Sequence, residues 1–360
     1  MKKLKLAIIG YGRSGRNIHT KLLKQLPELF EIVSYVEGDA ERQEMIKQEM
    51  DKPVYPEYSA LFGRSDEIDL VINASFSQDH ARISKDLMKN GFNVVCEKPV
   101  ARNVAEFQTV LDTARESGRR YYAFQQYRFS PGFNKIMEIM ASGILGRIIA
   151  VNIREDRFAR RWDWQTVHEN TAGVLLNNGP HYVDFALAFM GFPQDVKVTA
   201  IMDRANYAGN AEDYAKLILQ APGSPLIDLE LTASNAYPSK QFLVQGTQGT
   251  LSGSSTSLSW KYFKPSELTP LKLDTRPLRN EKGEPVYCSE KLPLHEENWS
   301  VDAGDRAPNE YDFTERGLAY YRNLYDNITG DAEFAIKNEQ LLLQMKVMEA
   351  AHTQNKELFK

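Results

Sequence analysis

The sequence predicts an α/β protein in two parts: a doubly wound parallel sheet over residues 1–124, then an α+β part over residues 125–360 organised on a mainly antiparallel sheet. Three observations carry this. Short β-branched runs alternate with helical stretches as far as residue 124, the pattern of a parallel sheet covered by helices. The first of those runs leads into Gly10-Tyr11-Gly12-Arg13-Ser14-Gly15, a GxGxxG pattern that closes a strand and opens a helix. Beyond about residue 197, strand-like runs follow one another across short turns, which favours antiparallel pairing.

Taken in order, Leu4 to Ile9 is the first strand, and Arg16 to Gln25 has helical character. Between them Gly10 makes the tight turn, Gly12 lets the backbone approach a pyrophosphate, and Gly15 lets helix and strand pack closely. The phosphates would sit against unpaired amides at the positive helix end, as in a Rossmann dinucleotide site. The second strand, Ile32 to Val36, ends in Glu37-Gly38-Asp39, and Glu37 lies 22 residues after Gly15. A carboxylate there accepts hydrogen bonds from the ribose hydroxyls and repels a 2′-phosphate, so NAD is preferred to NADP. Asp39 is expected to cap a helix from Ala40 to Met50. A short strand near Pro53-Val54-Tyr55 precedes a buried strand, Asp69 to Ala74, the loop Ser75 to Gln78, and a helix from Asp79 to Asn90. His80, at that helix start, reads first as a structural hydrogen-bonding residue. Phe92 to Cys96 is the next buried strand and delivers Glu97-Lys98-Pro99 to the sheet edge where open α/β folds bind ligands. The Lys98-Pro99 bond is expected to be cis, turning the lysine into the cleft. Asn103 caps a helix from Val104 to about Glu116, which stops before Gly118, and Arg120 to Phe124 is the last strand of this part.

In the second half Pro131 starts a helix that ends at Ser142-Gly143, and Gly146 precedes a strand from Arg147 to about Glu155. The following stretch holds Arg157, Arg160, Arg161, Trp162 and Trp164, which either clamp a polar ring-shaped substrate or cover a core edge. Thr171 to Met190 reads as a helix in which Asn177, His181 and Asp184 share one face. Gly179-Pro180 kinks or restarts it. That stripe is either a site or a solvated polar face, since Val174, Val183 and Leu187 make the opposite side apolar. Strands are expected near 196–202, 214–220, 226–232 and 241–245, with a turn at Gly246-Thr247-Gln248-Gly249. Residues 254–310 read as irregular loops with brief strands. Helices of about Tyr311 to Asn327 and Asn338 to Asn355 close the chain.

Bulk properties exclude several classes. The 360 residues carry 42% hydrophobic and 26% charged side chains, ordinary for a soluble globular protein. A formal net charge of −4 indicates no basic surface for nucleic acid. The opening Met1-Lys2-Lys3-Leu4-Lys5 imitates a signal peptide, but the apolar run after it is too short, and no stretch reaches membrane-spanning length. Two cysteines, Cys96 and Cys288, make neither a disulfide framework nor a Cys-rich zinc site, so a reducing cytoplasm and no metal are expected.

Together these features resemble the Gfo/Idh/MocA family of nicotinamide-dependent oxidoreductases. The resemblance rests on Gly10 to Gly15, on Glu97-Lys98-Pro99, and on Gly173 with Asn177, His181 and Asp184. Tyr127-Arg128-Phe129-Ser130-Pro131, Ser142 to Gly146 and the Gly246 to Leu251 turn support it. It departs at Asn177, where the family often has aspartate, and at Pro180. The family implies a Rossmann domain followed by a large open sheet that often mediates dimers or tetramers, and sugar, sugar-derivative or inositol substrates. It implies Lys98 and His181 as the catalytic pair and Asn177, Asp184, Tyr127, Arg128 and Trp162 as substrate residues. The cofactor set would be Gly10, Tyr11, Gly12, Arg13, Ser14, Gly15, Glu37, Ala74, Ser75, His80, Glu97 and Lys98. His181, with an ordinary pKa near ~6.5, is the natural acid/base at neutral pH, and Lys98 polarises the oxygen unless burial lowers its pKa. Asp184 orients His181 or binds a second hydroxyl. Two further readings stay open on the same fold: an NAD-retaining redox-assisted glycoside hydrolase and a non-enzymatic cofactor-binding regulator.

Overall fold

The computed structural model describes residues 2–287, 289–330 and 332–359, so Cys288 lies outside the described residues. Six short strands, β1 (Leu4–Ile9), β2 (Phe30–Val36), β3 (Val54–Tyr55), β4 (Leu70–Asn73), β5 (Asn93–Cys96) and β6 (Tyr121–Ala123), form one parallel sheet in the order β3-β2-β1-β4-β5-β6. β1 and β4 are buried almost throughout, because helices cover both faces of a parallel sheet. The connecting segments are a π-type turn, Gly15–Thr20, running into α1 (Lys21–Leu23), then α2 (Ala40–Met50), α3 (His80–Lys89) and α4 (Val104–Ser117). Asp39 caps α2 by accepting from the Arg42 amide, and Asn103 caps α4 by accepting from the Glu106 amide. Gly118 ends α4 in the left-handed region that favours glycine. Strand order reverses between β1 and β4, which opens a crevice at their carboxyl ends.

After α5 (Pro131–Ala141), β7 (Ile148–Asp156) enters a second sheet. It is followed by α6 (Val174–Asn177), α7 (Gly179–Phe189), β8 (Lys197–Asp203), β9 (Tyr214–Gln220), β10 (Leu226–Thr232), β11 (Phe242–Gly246), β12 (Gly249–Gly253), β13 (Ser257–Tyr262) and β14 (His295–Ser300). The eight strands lie in the order β14-β13-β12-β11-β7-β10-β9-β8, and every pair except β7–β10 is antiparallel. Residues 254–310 thus contribute β13, the edge strand β14 and, up to the start of α8, otherwise largely irregular chain. α8 (Pro308–Thr329) and α9 (Asn338–Gln354) end the fold.

α8 reaches back to the first sheet. Its Tyr320 and Tyr325 hydroxyls donate to the Ala123 and Lys2 carbonyls at 3.0 and 2.8 Å. The buried apolar residues consequently form one continuous cluster spanning both sheets. No helix among the described residues is long and apolar enough to cross a membrane.

Candidate active site

The cleft at the β1–β4 switch point encloses about 730 Å³. Gly10 turns there with φ +88°, and a Cβ on it would stand 2.5 Å from the Ala74 carbonyl oxygen. A Cβ on Gly15 would stand 1.9 Å from the Gly10 oxygen, so both positions require glycine. Gly12 faces open space, with only Arg42 at 4.0 Å. Arg13, Ser14, Ala74, Ser75, His80, Glu97 and Lys98 also line the cleft. Tyr11 is not among the residues lining the cleft: its ring is buried, and its hydroxyl donates to Glu49 at 2.8 Å.

Glu37 closes the far end. Its carboxylate accepts from the Tyr11 amide at 2.7 Å and the Asp39 amide at 3.0 Å. Arg42, brought in by the first turn of α2, lies 3.8 Å away. The carboxylate is thus fixed where ribose hydroxyls would sit, with a cation beside it. This cradle of bare glycines, exposed helix start and fixed acceptor fits a dinucleotide.

At the other end Lys98 leaves β5 through a cis Lys98-Pro99 bond, as expected. Its ammonium donates to the Asn177 carbonyl at 2.6 Å and to Asn177 Oδ1 at 3.3 Å. Burial, reinforced by the charges of Arg13, Arg157 and Arg161, outweighs Glu97 and lowers its pKa to about 8. Beside it, burial alone would raise Glu97. The His19 ring nitrogen at 3.2 Å, with Lys98 and His80, instead holds this carboxyl down to about 2. His80 presents Nδ1 to the Pro99 carbonyl at 2.8 Å and Nε2 to the Ser75 carbonyl at 3.1 Å. Both partners only accept, so the ring carries two protons. Against the cost of burial, Cys96, the Pro99 carbonyl and Glu97 push its pKa up to about 9.

Asn177 and His181 belong to two helices, since the chain breaks at Asn178 and Pro180 restarts it in the first turn of α7. Neither these two nor Asp184 faces solvent; all three are buried. His181 stacks on Tyr127 at 3.9 Å with the rings nearly parallel, and the Arg316 guanidinium covers the Tyr127 ring at 3.7 Å. Burial, then the charges of Lys98 and Arg316, drive the His181 pKa well below its ordinary value, so the ring is neutral. Asp184 does not pair with His181. Both its oxygens accept from Arg128, at 2.7 and 2.5 Å, and Arg128 reaches on to Gln340 at 3.3 Å. These two charges are spent on packing α7 against the turn Gln126–Phe129 and the start of α9.

Trp162 points into solvent, 82% exposed, and it is Trp164 that lines the cleft. Asp163 sets this alternation by accepting from the Gln165 amide and starting the turn Trp164–Thr166. An Asp cap inside the aromatic stretch was the available signal for it. Trp164 packs edge-on against Phe76 at 5.1 Å, placing one aromatic from each part of the chain across the mouth. Gln165 links the two parts: its Oε1 accepts from Arg13 at 3.3 Å and Arg161 at 2.7 Å, and its Nε2 donates to Asn177 at 3.4 Å. Gln165, Arg42 and Arg316 carry no motif and emerge only from the fold.

Cleft and fold together define a dinucleotide-dependent oxidoreductase. Residues 4–125 match the oxidoreductase family with an NAD-binding Rossmann fold, and residues 133–252 match the GFO/IDH/MocA C-terminal domain. The chain belongs to the Gfo/Idh/MocA family. It is 27% identical to an uncharacterized oxidoreductase of Schizosaccharomyces pombe over 98% of this chain and 97% of the relative. It is 23% identical to the scyllo-inositol 2-dehydrogenase (NADP(+)) IolW of Bacillus subtilis, over 98% and 94%. Among solved structures it resembles the WlbA dehydrogenase of Bordetella pertussis in complex with NADH and UDP-GlcNAcA, with TM-score 0.74 and 18% identity over 99% and 96% of the two chains.

Proposed function

We propose that the protein interconverts a secondary alcohol and ketone on a sugar, sugar derivative or inositol, with Lys98 as the proton-transferring residue and His181 as a neutral positioning group. The observation that carries this is the setting of Lys98: half-buried at the cleft, held by the uncharged oxygens of Asn177, with a pKa of about 8. Such an amine exchanges a proton near neutral pH, as a general base in oxidation and a general acid in reduction. Bound NAD supplies the hydride acceptor. Lys98 takes the carbinol proton onto Nζ, while the Asn177 carbonyl keeps that nitrogen aimed into the cleft. His181 has a buried Nδ1 without a partner, and its neutral ring offers a hydrogen bond to a substrate hydroxyl. Arg157 and Arg161 are paired with Glu155 and Asp163, which suits an uncharged polyol better than an anion. The name of the inositol dehydrogenase relative agrees with that class.

The test is turnover of a panel of sugars and polyols with NAD and NADP, followed by nicotinamide absorbance. Lys98→Met should lower kcat roughly 10²–10⁴-fold and leave NAD affinity nearly unchanged. Parallel loss of NAD binding would make Lys98 a cofactor residue instead. Monosaccharide release without net NADH would assign the hydrolase reaction. We further assign the protein to the cytoplasm and, through the second sheet, to a homodimer or homotetramer. Light scattering that returned the mass of one chain would remove the assembly.

A further inference from the structure

Behind the cleft, three side chains far apart in sequence converge: His168 in the turn His168–Asn170, Glu212 just before β9, and His352 near the end of α9. One ligand atom from each lies within 4.8 Å of the other two. Each residue also leaves a buried polar atom without a hydrogen-bond partner, namely His168 Nδ1, Glu212 Oε2 and His352 Nε2. Glu212 is fully buried, and only its Oε1 is used, accepting from the Leu175 amide at 3.0 Å. An orphaned polar atom on each of three converging side chains is costly unless something satisfies it.

The tautomer of His352 indicates what would join them. Its Nδ1 lies 3.0 Å from the Met348 carbonyl, which only accepts, so Nδ1 carries a proton and Nε2 is the nitrogen turned toward Glu212, where an ion would displace any second proton. A backbone carbonyl fixing the far nitrogen is the usual support of a metal-bound imidazole. That Nε2 stands 3.7 Å from Glu212 Oε1, beyond hydrogen-bonding distance. The Phe359 ring stacks on His168 at 4.2 Å and approaches His352 at 5.4 Å, walling the group with an apolar face. Gly173 leaves room for the carboxylate: a Cβ there would stand 2.3 Å from Glu212 Oε2.

We propose that His168, Glu212 and His352 bind a divalent transition-metal ion of the zinc class, with water as the fourth ligand. Two imidazoles and one carboxylate suit zinc and its neighbours and disfavour magnesium or calcium. Donors in a tetrahedral zinc site stand about 3.3 Å apart, so the three side chains need only draw in by roughly an ångström. The ion ties the end of α9 to the loop that carries Trp164 and Gln165. It also secures the start of α6, where the Val174 amide donates to the Glu212 carbonyl at 2.8 Å. The spacing of the three residues matches no metal motif, which is why the sequence led to an expectation of no metal.

The experiment uses the full chain stripped with a chelator and titrated with ZnCl2 by calorimetry, and with CoCl2 by visible absorption. One Zn²⁺ per chain and an intense tetrahedral Co²⁺ band are expected. His168→Gln and His352→Gln should each weaken Zn²⁺ binding at least about a hundredfold and abolish the band, while circular dichroism and NAD affinity stay at wild-type values. Should His352→Gln misfold, His168→Gln carries the test, its ring being half-buried at the surface. A wild type that binds no Zn²⁺, or variants that bind it as tightly as wild type, would overturn the site and leave a His352–Glu212 ion pair.

Discussion

Glu37 is held in place before any cofactor arrives, because it accepts two backbone amides, and Arg42 stands 3.8 Å from the same carboxylate. NAD should therefore bind more tightly than NADP, since a 2′-phosphate would meet a fixed negative charge. Glu37→Ser leaves Arg42 free to face that phosphate and should shift the Kd ratio toward NADP by on the order of tenfold or more. Adding Gly38→Arg should push it further. An unchanged ratio by fluorescence titration would show that Glu37 does not meet the ribose. The acid at this strand end was legible because a GxGxxG site requires one nearby in sequence. Arg42 was not, because only the first turn of α2 brings it around. His181 shows the same limit. Spacing identified it, and an ionisation near neutrality was the natural expectation, but burial against Tyr127 beneath Arg316 keeps the ring neutral. Alcohol oxidation should accordingly rise with pH through about 8, where Lys98 loses its proton. That limb should vanish in Lys98→Met and persist in His181→Ala. A limb that followed His181 would return the proton transfer to the histidine.

At the scale of elements, the break between α6 and α7 frees the backbone acceptor that holds Lys98. In an unbroken helix the Asn177 carbonyl would accept the His181 amide. Here that amide turns to the Asn178 carbonyl at 3.1 Å, so the Asn177 oxygen is left for Lys98. Pro180, which has no amide to give, sits at the restart, and its own carbonyl accepts from Gln125 at 2.6 Å and from Gln344. Pro180→Ala permits the continuous helix and removes the anchor of Lys98. A hydrogen bond to a charged group contributes about 1.5–3 kcal/mol, so kcat should fall roughly 10–100-fold with NAD affinity retained. Wild-type kcat would mean that the break persists without proline. Elements of this kind were largely visible in the sequence, since caps such as Asp39 and Asn103 and glycines such as Gly118 act locally. What the sequence withheld was pairing between distant strands, for instance the parallel β7–β10 contact in an otherwise antiparallel sheet.

For the whole molecule, α8 closes over the first sheet, and two ionised groups, Glu97 and His80, line the cleft with Lys98. Tyr321 meets His19 at 2.6 Å, and His19 in turn lies 3.2 Å from Glu97. Glu97 is held at about 2 against an ordinary 4.5, so its contribution is present above about 4.5 and is lost as pH falls toward 2. His80 is pushed up to about 9 from 6.5, so its contribution is complete below about 6.5 and is lost as pH rises through 9. Each amounts to roughly 3 kcal/mol at most. Thermal stability should therefore form a plateau between about pH 4.5 and 6.5 and decline on either side. With Lys98 in the proposed proton-transfer role, oxidation should improve above about 8, in the range where His80 is losing its stabilising charge. On that proposal activity and stability should respond to opposite protonation states of two residues that line one cleft. His80→Gln should flatten the decline of Tm between pH 6.5 and 9 and lower Tm below 6.5, leaving the alkaline rise of kcat in place. A wild-type Tm that held level from pH 6.5 to 9 would show that His80 is neutral in the folded protein, with one of its two carbonyl contacts unmade.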